Sequence, residues 1–184
     1  MRVRGMLLGT LLLCGCAHNG DEKADTPYPR IEVRLDEGRA AEKPLTPQKT
    51  FEILMKMDPG LGGYTPRKFR FLLAQAGKIT FTLYQAGADG GPGAAIGTIE
   101  HDYDGAFVSD GKDGRWVTEK LINYPIQHGT LWLGIHAPAG GDPRLWATSN
   151  RSEAYQRDPD PSAALSNLKI PRTPMVRLEV VPAS

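Results

Sequence analysis

Residues 78–84 have the sequence Lys-Ile-Thr-Phe-Thr-Leu-Tyr, in which apolar and polar side chains alternate. Successive side chains of a β-strand point to opposite faces, so Ile79, Phe81 and Leu83 would share one face. β-branched and aromatic residues also favour strands. The Gly- and Pro-rich stretch 87–93 follows and is typical of a turn. The segment therefore predicts a half-buried strand whose apolar face lies on a core.

The same unit, a short apolar or alternating run closed by turn residues, recurs on both sides of this strand. Such a succession is typical of an antiparallel sandwich, and the 21 glycines and 15 prolines fit it because both residues disfavour helix. We predict an all-β domain over residues 50–184, an antiparallel β-sandwich of jelly-roll or Ig-like type. Residues 161–168 could add one or two helical turns, which Pro171 and Pro174 would end. The other predicted strands are 51–57, 69–76, 95–99, 115–124, 130–137, 144–148 and 176–181.

Charge and cysteine content exclude several classes of function. The 184-residue chain has a formal charge of +1 and no basic stripe interleaved with aromatic residues, so we expect no nucleic-acid partner. Its two cysteines are Cys14 and Cys16. A disulfide, a thiolate metal site and a cysteine nucleophile are therefore excluded from the rest of the chain.

The first residues have the pattern of an export signal. Arg2 and Arg4 precede the apolar run 6–13, which is shorter than the roughly 20 residues that a membrane-spanning helix needs. The run ends in Leu13-Cys14-Gly15-Cys16, which resembles the lipobox of bacterial lipoproteins.

The resemblance implies cleavage after Gly15 and attachment of a diacylglycerol and an N-acyl chain such as palmitate to Cys16. Two or three chains would give near-permanent membrane attachment. In such lipoproteins an Asp after the modified cysteine favours retention in the inner membrane, and Ala17 stands here instead, so the outer membrane is expected. The alternative is an ordinary secretory leader that happens to contain a cysteine.

We divide the chain into a signal peptide (1–15), a lipidated polar tether (16–49) and the sandwich (50–184).

One short segment of the tether also has the alternation of a strand. Residues 31–35 read Ile-Glu-Val-Arg-Leu, whereas the surrounding residues are polar and contain several prolines. These residues either belong to the tether or add an edge strand to the sandwich.

Part of the domain resembles β-sandwich accessory modules of secreted bacterial proteins, which mostly bind or present rather than catalyse. The resemblance covers residues 78–149 and rests on a Pro-Gly loop, a strand with Trp, and a Gly-x-hydrophobic-Trp-hydrophobic strand. The residues concerned are Pro92, Gly93, Trp116, Tyr124-Pro125-Ile126 and 129–135.

Aromatic residues supply the candidate ligand-binding site. If Leu131, Leu133 and Ile135 face the core, Trp132 and His136 lie on the opposite face of the same strand. A glycan or a partner protein could stack there, with Trp146 and Tyr155 contributing. The alternative is that residues 150–174 or the second sheet cover this face, which would make Trp132 part of the core.

Acidic residues supply a weaker candidate site. Four carboxylates could supply the hard oxygen ligands that Ca²⁺ prefers, those of Asp102, Asp104, Asp110 and Asp113. Asp and Gly are also the residues that tight turns require, so these residues could simply form turns. Glu100, with Asp102 and Asp104, could alternatively serve a polysaccharide-acting enzyme, which needs two carboxyl groups about 5–9.5 Å apart. No Gly-x-Ser-x-Gly motif is present.

The sequence thus predicts a non-catalytic, cell-envelope lipoprotein without a cofactor. Its membrane contact would be the N-terminal lipid, and its sandwich would bind or scaffold an envelope protein or polysaccharide. The alternatives are a polysaccharide-acting enzyme and a dedicated carbohydrate-binding module.

Overall fold

The computed structural model describes residues 29–48, 50–110, 115–138, 142–149, 154–157 and 170–183. These residues form two antiparallel sheets packed against each other and one turn of 3₁₀ helix, Gly105–Phe107. The prediction of an all-β sandwich is confirmed. The strands are β1 (Ile31–Arg34), β2 (Lys43–Leu45), β3 (Glu52–Met57), β4 (Tyr64–Gln75), β5 (Gly77–Ala86), β6 (Pro92–Tyr103), β7 (Trp116–Lys120), β8 (Leu131–His136), β9 (Arg144–Thr148), β10 (Ala154–Arg157), β11 (Thr173–Pro174) and β12 (Val176–Pro182).

The strand order is that of a jelly roll. The seven-stranded sheet runs β1-β12-β4-β9-β11, with β7 also paired to β4 and β2 to β9, and the five-stranded sheet runs β10-β3-β8-β5-β6. Within them β1 pairs with β12, β3 with β8, β4 with β7 and β5 with β6. This nesting, in which the second half of the chain folds back along the first, is the jelly-roll alternative of the two sandwich types that the sequence left open.

The sandwich begins earlier than residue 50. Ile31 and Val33 are partly buried against the core, and β1 pairs with β12 from Ile31 to Arg34. Strand β2 pairs with β9. The domain boundary predicted at residue 50 is therefore too late, because the exposed edge of β12 gives the alternating segment 31–35 a pairing partner.

Aromatic side chains join the two sheets at the centre of the core. Phe81 of β5 lies between Phe69 and Phe71 of β4, with both ring centroids 4.8 Å away. Tyr103 of β6 meets Phe71 edge to face at 5.3 Å. Ile79, Phe81 and Leu83 are all buried, as the alternation of 78–84 predicted.

Several sequence predictions fall outside the described residues. These are the signal peptide with Cys16, the helical turns at 161–168, and Asp113. Within the residues that are described, no helix is long and apolar enough to cross a membrane.

Candidate functional site

Trp132 lies on the outer face of the five-stranded sheet, as alternation predicted. Leu133 belongs to the main core, whereas Trp132 packs in a separate cluster with Leu54, Tyr84 and Tyr155. Only 3% of Trp132 is exposed, and its Nε1 donates a hydrogen bond to the Gly90 carbonyl at 3.2 Å. Trp132 is therefore covered, as in the second of the two alternatives from the sequence, and its ring is not an open surface on which a ligand could stack.

The other aromatic candidates do not gather around Trp132 as one open site. Tyr155 packs on it, with ring centroids 5.8 Å apart, but His136 lies four positions along β8 and is partly buried. Trp146 belongs to the other sheet, on β9, where its Nε1 donates to the Ser109 carbonyl at 3.1 Å. The four residues are thus divided between the two sheets.

A buried charge cluster lies beside Trp132, and we define it as Glu52, Tyr84 and Arg157. The Arg157 Nη2 donates to Glu52 Oε2 at 2.7 Å, and the Tyr84 hydroxyl donates to Glu52 Oε1 at 2.9 Å. The guanidinium also lies over the Tyr84 ring, 4.5 Å from its centroid. Glu52 and Arg157 are only 3% and 2% exposed, so the pair is held out of water.

Gly134 makes room for this cluster. A Cβ at residue 134 would lie 1.9 Å from Glu52 Oε1, so only glycine allows the carboxylate to rest on β8. Burial, followed by the neighbouring Glu52 charge, raises the pKa of Tyr84 to about 12. The shift moves the pKa of the phenol further above neutral pH, where an ordinary tyrosine is already protonated and acts as a hydrogen-bond donor.

The acidic candidates are spread along the end of β6 and the loop after it. Glu100 forms an ion pair with Lys78, and Asp102 lies opposite Lys78 on an exposed stretch of β6. Asp104 accepts a hydrogen bond from the Ala106 amide at 2.8 Å and so caps the 3₁₀ turn, which is the turn role that the sequence allowed. Among the described residues, no three His, Cys, Asp or Glu side chains lie close enough to hold a metal ion.

A groove on the outer face of the seven-stranded sheet is a further candidate site. It has a volume of about 390 Å³, within the usual range for small-molecule sites. Trp116 of β7 lies opposite Leu72 of β4 and is partly exposed. The lining residues are Gly38, Arg39, Ala40, Leu72, Trp116, Met175 and Arg177.

The tight turn after β1 forms part of the groove. Glu37 and Gly38 both have positive φ, and the Arg39 amide donates to the Asp36 carbonyl at 2.8 Å. Two successive positive φ values are typical of a type I′ turn. The four-residue turn 36–39 thus leads the chain away from β12. Arg39 and the following Ala40 line the groove.

The Arg177 guanidinium is fixed between Asp36 and Trp116. Its Nε donates a hydrogen bond to Asp36 Oδ2 at 2.8 Å, and its Nη2 forms an ion pair with the same oxygen at 2.7 Å. Its Cζ lies over the Trp116 ring, 4.0 Å from the ring centre. The Asp36 side chain is fully buried, so the ion pair is shielded from solvent on that side. The groove therefore contains an already oriented guanidinium that stacks on the Trp116 ring, with the Arg70 guanidinium 5.9 Å from the centre of the same ring.

Charged pairs continue along the same outer face toward the other end of the sheet. Glu32 binds both Arg34 and Arg70, and Glu179 binds Lys68 at 3.0 Å. Burial tends to raise the pKa of Glu32, but hydrogen bonds from Arg34 and Arg70 outweigh it and lower the pKa overall. This part of the outer face is thus charged.

Sequence reasoning missed this groove and the buried charge cluster. Trp116 was noted only within a resemblance, and Arg177, Asp36, Glu52 and Arg157 were not singled out. Asp-Glu-Gly-Arg at 36–39 was the available signal, because a Gly after an acidic residue favours a turn with positive φ.

Comparison with protein-family models, with curated proteins and with solved structures finds no significant match to this chain.

Proposed function

We propose that this protein is a membrane-anchored lipoprotein of the bacterial cell envelope whose jelly roll binds a glycan in the Trp116 groove without catalysis. The anchoring part rests on the lipobox-like residues Leu13-Cys14-Gly15-Cys16 and on Ala17, which favours the outer membrane. The binding part rests on one observation, the partly exposed Trp116 ring with the fixed Arg177 guanidinium stacked on it in a groove of about 390 Å³.

The groove has the two kinds of group that bind a sugar. The C–H face of a pyranose packs on an aromatic ring, and the partly exposed Trp116, which Arg177 covers on one face, supplies the apolar surface. Leu72 and Met175 are only 2% and 3% exposed and form the buried floor of the groove. Guanidinium groups donate several hydrogen bonds in a fixed plane, which suits hydroxyl and carboxylate oxygens. Arg177 is already held in place by Asp36, so binding would cost little side-chain entropy there.

Binding is a better proposal for this groove than hydrolysis. Glycosidases need a pair of carboxyl groups facing each other across the bound sugar. None of the seven described residues that line the groove carries a carboxylate. We therefore assign the groove to recognition.

The anchoring is tested by metabolic labelling with palmitate. The unaltered protein is expected to take up label and to sediment with membranes, whereas Cys16→Ala is expected to lose the label and become soluble. Cys14→Ala is the matched control, because Cys14 lies in the segment that is removed. Label that persists in Cys16→Ala, or a mature protein that begins at another residue, would contradict the proposal.

The binding is tested with Trp116→Ala on a glycan array that carries muropeptides, neutral oligosaccharides and uronate-containing oligosaccharides. We expect the unaltered protein to retain one of these classes and Trp116→Ala to bind it at least about tenfold more weakly, a loss of about 1.4 kcal/mol. Thr118→Ala is the control, since Thr118 is an exposed residue of the same strand and lies outside the groove lining. Equal affinities for the two variants, or no retained glycan, would contradict the glycan proposal and leave a protein partner as the alternative.

A further inference from the structure

Two isoleucines are strongly exposed on the loop between β7 and β8. We call residues 121–129 the isoleucine loop; Ile122 is 71% exposed and Ile126 is 55% exposed. The loop is hydrogen-bonded to the sandwich at both ends. The Leu121 amide donates to the Arg67 carbonyl at 2.7 Å, and Gln127 exchanges two backbone hydrogen bonds with Tyr64. The structure thus holds apolar side chains outward in an ordered loop.

The isoleucine loop lies at the end of the sandwich where the N-terminal segment enters β1. Ile31 pairs with Val180 of β12, and two residues later on that strand Pro182 pairs with Tyr64 of β4. Tyr64 in turn pairs with Gln127 of the loop. Three strand spacings of about 4.8 Å separate the start of β1 from the loop, or roughly 14 Å.

The groove lies at the opposite end of the same sheet. Its turn begins at Asp36, six residues beyond Arg30, and strand residues rise about 3.3 Å each, so the two ends are roughly 20 Å apart. Met175 at the start of β12 and Leu72 near the end of β4 line the groove. The entering chain and the isoleucine loop share one end, and the groove occupies the other.

We propose that Ile122 and Ile126 insert into the surface of the membrane that holds the Cys16 lipid, so that the groove points away from the bilayer; this inference rests on the proposed lipid anchor. Only the 13 residues 16–28 separate the lipid from the described part of the sandwich. Thirteen residues reach at most about 43–47 Å even when fully extended, which limits how far the sandwich can lie from the bilayer.

Basic residues beside the loop also favour a lipid membrane as the surface that this loop contacts. Arg67 and Lys120 are both exposed, and Lys120 immediately precedes the loop. Apolar side chains flanked by Lys and Arg are typical of surfaces that lie in the head-group region of anionic membranes. The lipid surface is therefore a better fit to this end of the sandwich than a protein partner.

The test uses the full chain, expressed so that it can be processed, with Ile126→Cys carrying an environment-sensitive fluorophore. In the mature lipidated protein this thiol is the one free cysteine, because Cys14 is removed and Cys16 is blocked. The protein is reconstituted in vesicles of phosphatidylethanolamine and phosphatidylglycerol at 3:1. We expect a blue-shifted emission that lipid-borne quenchers reduce. Ala106→Cys, exposed on the 3₁₀ turn at the groove end, is the control and is expected to show neither effect.

Two readouts separate this inference from the anchor on which it rests. The mass of the mature protein reports whether Cys16 is lipidated, and the emission reports where the loop lies. A lipidated protein whose residue 126 shows no shift, or shifts only in native membranes that contain other proteins, would overturn the inference alone. An unmodified Cys16 would overturn both. Ile122→Cys gives a second position at which the same shift is expected.

Discussion

Replacing Arg157 with methionine is expected to lower the free energy of unfolding by about 3–5 kcal/mol, since it leaves the Glu52 carboxylate buried without its cation. Arg157 is 2% exposed and its Nη2 lies 2.7 Å from Glu52 Oε2, so neither group can recover hydration without local opening. Tyr84 would remain as a donor but would not neutralise the charge. Urea denaturation monitored by tryptophan fluorescence measures the change.

The double variant Glu52→Leu/Arg157→Met distinguishes a charge effect from a packing effect. Removing both charges together is expected to restore most of the lost stability, because an apolar pair of similar volume avoids the desolvation cost. Arg34→Met is the surface control and is expected to cost less than about 1 kcal/mol, since Arg34 and its partner Glu32 are partly exposed. A double variant as unstable as Arg157→Met would show that packing, rather than the unpaired carboxylate, causes the loss.

The second large effect is expected from Phe81→Ala, which should lower the free energy of unfolding by about 3–5 kcal/mol. Phe81 is 1% exposed and contacts Phe69 and Phe71 across the two sheets. Removing the Phe81 ring leaves a cavity between the two sheets. Because the strands that line it are hydrogen-bonded to their neighbours, they cannot move together to fill it.

Thr82→Ala is the matched control for Phe81. Thr82 is the next residue of β5 and points to the outer face, where its side chain contacts Thr98 at 3.4 Å and hydrogen-bonds with Tyr84. We expect a loss of less than about 1 kcal/mol, measured by the same denaturation. A Phe81→Ala protein that unfolds at nearly the same urea concentration as Thr82→Ala would mean that the two sheets are joined elsewhere.

Local patterns in the sequence were sufficient to predict most of the strands. Alternation in 78–84 placed Ile79, Phe81 and Leu83 on the buried face, and alternation in β8 placed Trp132 opposite Leu133. Both predictions depend only on the period of a β-strand, which is a property of neighbouring residues. The predicted lipid attachment at Cys16 is also a local signal, and it stays a prediction.

The short strands could not be predicted in the same way. Strands β2, β10 and β11 have two to four residues each, which is too few for a pattern, and they exist because β9 and β3 offer edges for pairing. The segment 31–35 had the pattern, but its place in the sheet depended on β12, almost 150 residues later in the chain.

The sequence by itself determined that this chain forms an all-β sandwich and which face of the long strands is apolar, because both follow from side-chain order along one strand. Only the tertiary structure decided that the sandwich is a jelly roll, that Trp132 is covered while Trp116 borders a groove, and that Glu52 meets Arg157. Alternation assigns a side chain to a face, but what covers that face depends on segments that are distant in sequence and meet only when the sheets pack.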